Sequence, residues 1–172
     1  MGAEMEPASA TALNDLGWSY MLAGDLANAE HQYREAIRLD AANLAALMSL
    51  GYCLELRNSP GEAMKFYRRA LQIRGAPDEV IAKYDRIYAT SGLHGVYESW
   101  FEYFKTHGDM PRSALAFYAA RAGRSAEAME LLRESARRRE PGTIWLAVHP
   151  AFASLRNQRE FGALVASSFH TR

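Results

Sequence analysis

Shifted by 34 residues, the first half of this chain falls on itself. Ala12 lands on Ala46, Leu13 on Leu47, Leu16 on Leu50 and Gly17 on Gly51; further along, Leu22 lands on Leu56, Ala29 on Ala63, Tyr33 on Tyr67, Arg34 on Arg68 and Ala36 on Ala70. A fixed period of roughly 20–50 residues belongs to stacked supersecondary units, each able to bury its apolar face only against a neighbour. Apolar spacing within a period predicts two helices, at 10–23 and 26–39 in the first unit and at 44–57 and 60–73 in the second.

The joints between these helices support that division. Gly24 stands where a helix can end in a left-handed residue, and Asp25 is the next N-cap. In the second unit Asn58 takes the place of the glycine. Ser59, Pro60 and Glu62 then predict an N-cap, a proline at the first helical position and a capping-box glutamate. Gly17 and Gly51 lie inside helices, where glycine costs roughly 1 kcal/mol relative to alanine. Their recurrence at one register calls for a reason. Facing the small Ala29 and Ala63, they would let the two helices of a pair approach closely, with Tyr33 and Tyr67 filling the groove beside them.

Leu16, Gly17, Tyr20, Ala29, Tyr33 and Ala36 resemble the tetratricopeptide repeat, whose pattern is W-x2-L-G-x2-Y, then A-x3-F, then A and P. Leu13 and Leu47 stand where that family has Trp, Leu54 where it has the second Tyr, and Ala41 and Gly75 where it has the closing Pro. The resemblance covers 10–75. It implies an all-α fold, a right-handed α-solenoid of antiparallel helix pairs. It also implies a groove lined by the first helix of each pair, whose usual contact positions fall on Asn14, Trp18, Met21, Met48, Tyr52 and Glu55, with Leu22 and Leu56 alongside.

The chain continues in helical pattern past the second unit. An irregular pair is expected over 76–108, where "PDEVIAKYDRIYATSG" ends in Gly92 and "LHGVYESWFEYFKTHG" follows. A degenerate repeat is expected over 109–140, where Gly123 and Ala128 echo Gly24 and Ala29. The segment 141–172 resembles the C-terminal module that follows such repeats in bacterial regulatory proteins. Pro150, Phe152, Leu155, Arg156 and Phe161 match it, whereas His149 and Ala153-Ser154 depart from it. The segment is expected to cap the last repeat through Trp145, Phe152, Leu155 and Phe161, and residues 1–9 to be flexible.

Motifs for chemistry are few. No two of His31, His94, His107, His149 and His170 share i, i+4 spacing, and neither HExxH nor a glycine-rich phosphate loop occurs. Cys53 falls inside a helix and reads as a small buried hydrophobe. His149, before Pro150, reads as a turn residue, with ligand or pH-sensing roles as alternatives. Neither catalysis nor a cofactor or metal is expected.

Twenty Lys and Arg balance twenty Asp and Glu, so no global field draws in nucleic acid or an anionic membrane. The one basic cluster, 133–139, lies at a helix end and is diluted by Glu134 and Glu140. The start "MGAEMEPAS" has neither a basic n-region nor an apolar h-region, so a cytoplasmic location is expected.

The function expected is non-enzymatic protein–protein interaction, a peptide or helix lying in the groove, and weak homo-oligomerisation is compatible with it. A clamp for acidic chaperone tails is not expected, because only Asn14 fits one. The alternative is a regulatory domain of a larger bacterial signalling or transcription protein. An RNA-reading repeat or an enzyme using His94, Tyr97 and Glu98 has less in the sequence to support it.

Overall fold

The computed structural model describes residues 9–140 and 145–169. Their secondary structure is helical, with no strand among the described residues. The chain forms two compact units that divide between Lys83 and Tyr84. The first contains α1 (Ala10–Leu22), α2 (Leu26–Leu39), α3 (Leu44–Leu56) and α4 (Pro60–Ile73). The division itself falls inside α5 (Asp78–His107). The second unit continues with α6 (Arg112–Arg121), α7 (Ser125–Arg137), a 3-10 turn (Pro150–Leu155) and α8 (Arg159–Phe169).

Local chemistry sets the helix starts. The Ser9 hydroxyl accepts from the Ala12 N–H at 3.1 Å, Asp25 from Asn28 at 3.1 Å and Asn43 from Ala46 at 3.0 Å. Each satisfies an N–H that the helix leaves without a partner. Ser59 departs from expectation. Its side chain makes no cap bond, and the Glu62 N–H instead bonds the Ser59 carbonyl at 3.1 Å, with Pro60 in the first turn. The expected flexible segment lies outside the described residues except for Ser9.

Three helix pairs turn the same way. Asp25, Ser59 and Arg124 donate their N–H groups to the carbonyls of Tyr20, Leu54 and Ala119, five residues back, at 2.8–2.9 Å. In each case the residue before the donor is left-handed: Gly24 at φ 84°, Asn58 at 59° and Gly123 at 71°. Asn58 tolerates this conformation as few other residues with a Cβ do.

In the first unit the helical glycines face tyrosine rings. A Cβ on Gly17 would lie 2.7 Å from Tyr33 Cε1, and one on Gly51 would lie 2.4 Å from Tyr67 Cε1. The glycines therefore make room for the tyrosines themselves, rather than for Ala29 and Ala63 with tyrosine beside them. Both tyrosines are essentially buried. α3 packs on α2 as well as on α4 and buries Ala46, Leu47, Leu50, Tyr52, Cys53 and Leu54. α1 buries only Gly17 and Met21. Leu16 is 44% exposed, whereas Leu50, one period later, is 0% exposed beneath α2.

In the second unit α5 bends at Gly92, whose φ of 59° and ψ of −159° suit glycine alone. Behind it Phe101, Leu115, Ala116, Met129 and Leu132 form one core with Leu146, Phe152, Leu155 and Phe161. Phe152, Leu155 and Phe161 thus pack with α6 and α7, whereas Trp145 takes no part, being 44% exposed.

His149 is buried and serves as a turn residue. Its Nδ1 accepts from the Ala151 N–H at 3.1 Å, capping the 3-10 turn, and its ring packs against Phe117 and Phe152. Burial, with Arg156 and Arg121 nearby, pushes its pKa down to about 4.

Candidate protein-binding groove

α1 and α3 lie in contact, so positions 34 residues apart become neighbours across one face. On that face Asn14 corresponds to Met48, Trp18 to Tyr52 and Met21 to Glu55. Trp18 is partly exposed, one turn after Asn14. The Asn14 side-chain oxygen is buried without a hydrogen-bond partner among the described residues. Such an orphaned acceptor costs about 1–3 kcal/mol. Met48 is half-buried.

Of the remaining three positions, Met21 and Tyr52 face inward and Glu55 is half-buried. Met21 is 1% exposed, and its sulfur accepts from the Tyr33 hydroxyl at 3.9 Å. Tyr52 is 4% exposed. Glu55 accepts a hydrogen bond from the Tyr67 hydroxyl. Tyr33 and Tyr67 therefore do more than fill the space above the glycines. Each holds, from behind, the side chain that follows its glycine by four residues on the first helix of the pair. Leu22 and Leu56 are both half-buried alongside.

The model of the tetratricopeptide repeat family matches residues 3–43 and 14–80. Over that span the chain is made of tetratricopeptide repeats. No curated protein matches it. Tetratricopeptide repeats are protein-interaction scaffolds as a family, typically without catalysis of their own. α6 and α7 lie beyond the matched residues yet share the joint geometry of the matched pairs.

The other groups singled out in the sequence have structural partners. Cys53 is fully buried, and its thiol lies 3.4 Å from the Leu26 carbonyl as donor. Burial, then the Glu30 carboxylate, push its pKa up to about 11 against Arg57 and Arg34, so it stays a thiol at neutral pH. Glu98 holds Arg124 through Nε at 2.9 and 3.1 Å, Tyr97 is buried among aromatic rings, and His94 is exposed. Among the described residues no cluster of three or more His, Cys, Asp or Glu could hold a metal. No described helix is long and apolar enough to cross a membrane.

One feature gives no signal in the sequence. The Glu140 carboxylate accepts from the backbone N–H groups of Arg112 and Ser113, both at 3.0 Å, and from the Ser135 hydroxyl at 2.8 Å. It caps α6, whose own N-cap residue is Pro111, from 28 residues downstream. Spacing along one helix cannot reveal a cap delivered across the fold.

Proposed function

We propose that this protein binds a peptide or helix of a partner protein on the α1–α3 face, with Trp18 as the anchor. The observation that carries this reading is the pairing of a partly exposed indole with the orphaned Asn14 acceptor one turn away. The indole offers apolar area with a polar edge. The amide oxygen is closed off from solvent, and an outward turn of the Asn14 side chain on binding would give it a partner's N–H, the combination of anchor and orienting group that peptide grooves use. Met48 adds an adaptable apolar surface one repeat along. Met21, Tyr52 and Glu55 set the floor and its rigidity.

The test is retention of partners from lysate by the wild type and by Trp18→Ala, with folding checked by circular dichroism. A partner held by wild type should bind the variant more weakly by over about 1 kcal/mol, as an anchor aromatic requires. Substitution of the exposed His31 on α2 should leave its affinity unchanged. A partner indifferent to Trp18→Ala sinks the assignment.

A second reading makes the chain one part of a larger bacterial regulator. It draws support from Phe152, Leu155 and Phe161, which match the C-terminal module of such proteins and pack as a cap. Sequencing the gene upstream of Met1 tests it, and a stop codon directly upstream would end that reading.

A further inference from the structure

The first unit has a second recess, formed by the second helices of its two pairs. Arg34, Arg38 and Arg69 surround Ile37, Leu50 and Phe66 in a cleft of about 330 Å³ between α2 and α4. No acidic residue lines it. Arg34 is braced, with Nε and Nη2 on Glu30 at 2.8 and 2.7 Å and its guanidinium 5.7 Å from the centre of the Phe66 ring. Glu62 stands 3.9 Å from it. Glu30 is shared with Arg57. Arg38 is 66% exposed and meets Glu35 at 2.8 Å.

Arg69 differs from both. It is partly buried and donates to the Ala41 carbonyl at 2.8 Å. Among the described residues no carboxylate lies within ion-pair distance of it. A partly desolvated cation answered only by a carbonyl dipole favours an added anion. Guanidinium forks match carboxylates in geometry, and the partly exposed Ile37 and Phe66 reward an apolar group beside the charge.

We propose that this cleft docks an acidic peptide, an Asp or Glu between Arg38 and Arg69 with an aliphatic or aromatic neighbour on the floor. The arginines of this site lie on α2 and α4 and it shares no residue with the Trp18 face, so the two readings stand or fall separately.

Fluorescence anisotropy on the full chain tests it with a labelled Asp-Glu-Phe-Asp-Glu peptide. Its neutral Asn-Gln-Phe-Asn-Gln counterpart and Asp-Glu-Gly-Asp-Glu serve as comparisons. The first peptide should bind at low salt and weaken as salt rises. The neutral peptide should not bind, and the glycine peptide should bind less well. Arg38→Gln with Arg69→Gln should weaken binding at least about tenfold. The amide introduced by Arg69→Gln keeps a donor for the Ala41 carbonyl, and circular dichroism checks the fold. If the double variant unfolds, Arg38→Gln alone carries the test, with a several-fold loss expected. Trp18→Ala should leave this binding intact. Three results overturn the proposal: indifference to Arg38→Gln, equal loss with Trp18→Ala, or displacement by an equal concentration of pyrophosphate, which would mark a site for bare anions.

Discussion

At the scale of single residues, the unit of this fold is a complementary pair, one small and one large. Gly17 meets Tyr33 and Gly51 meets Tyr67. At the corresponding positions of α6 and α7 stand Ala116 and Leu132, both fully buried in one core. Where the large partner shrinks, the small one grows. Gly51→Ala should therefore lower stability by roughly 1–2 kcal/mol, because crowding against a buried ring outweighs the gain in helix propensity. The same change at Gly162, where an added Cβ meets nothing within 4 Å, should be neutral or stabilising. Adding Tyr67→Leu to Gly51→Ala should recover over about 1 kcal/mol of coupling in a double-mutant cycle measured by urea denaturation. Additive losses would show that the contact is not the constraint. The recurrence of these glycines was legible in the sequence; their partner was not, because period alone does not say which side chain crosses to meet them.

At the scale of elements, the ends of helices are held in two ways. Ser9, Asp25 and Asn43 cap their own helices; of these Asp25 was legible in the sequence, whereas the expected side-chain cap at Ser59 does not form. α6 depends on Glu140 instead. The left-handed Arg139, at φ 54°, turns the chain after α7 and precedes it. Burial raises the Glu140 pKa, but the Ser113 and Arg112 N–H groups and the Ser135 hydroxyl outweigh it, so the net shift is downward from 4.5. Its stabilisation is thus present above the unfolded value and is lost as pH falls through the depressed folded one. Glu140→Gln should cost about 1–2 kcal/mol at neutral pH. Hydrogen exchange should show the loss as faster opening of the first turn of α6. Unchanged protection there would deny Glu140 its capping role.

At the scale of the whole molecule, acid stability separates two groups by pH window. His149 is neutral in the fold down to about 4, whereas the unfolded chain takes up its proton near 6.5. Between those values the unfolded state binds more protons, so stability falls as pH drops across that window, by roughly 3 kcal/mol in all. His149→Asn keeps a cap for the Ala151 N–H and should flatten the urea midpoint between pH 7 and pH 4.5. A wild-type midpoint already flat there would contradict a buried neutral imidazole. The Glu140 contribution starts to decline near 4.5, at the low end of that window, and continues to fall below it. The sequence by itself determined the helices and the pairing of the first four, because period, caps and apolar spacing are local and repeat along the chain. The tertiary structure alone decided that Met21 and Tyr52 turn inward, that Trp145 stays out of the core, that Glu140 caps a distant helix and that three arginines converge on one cleft. These depend on which helix packs against which, and side chains far apart in sequence meet only once that packing exists.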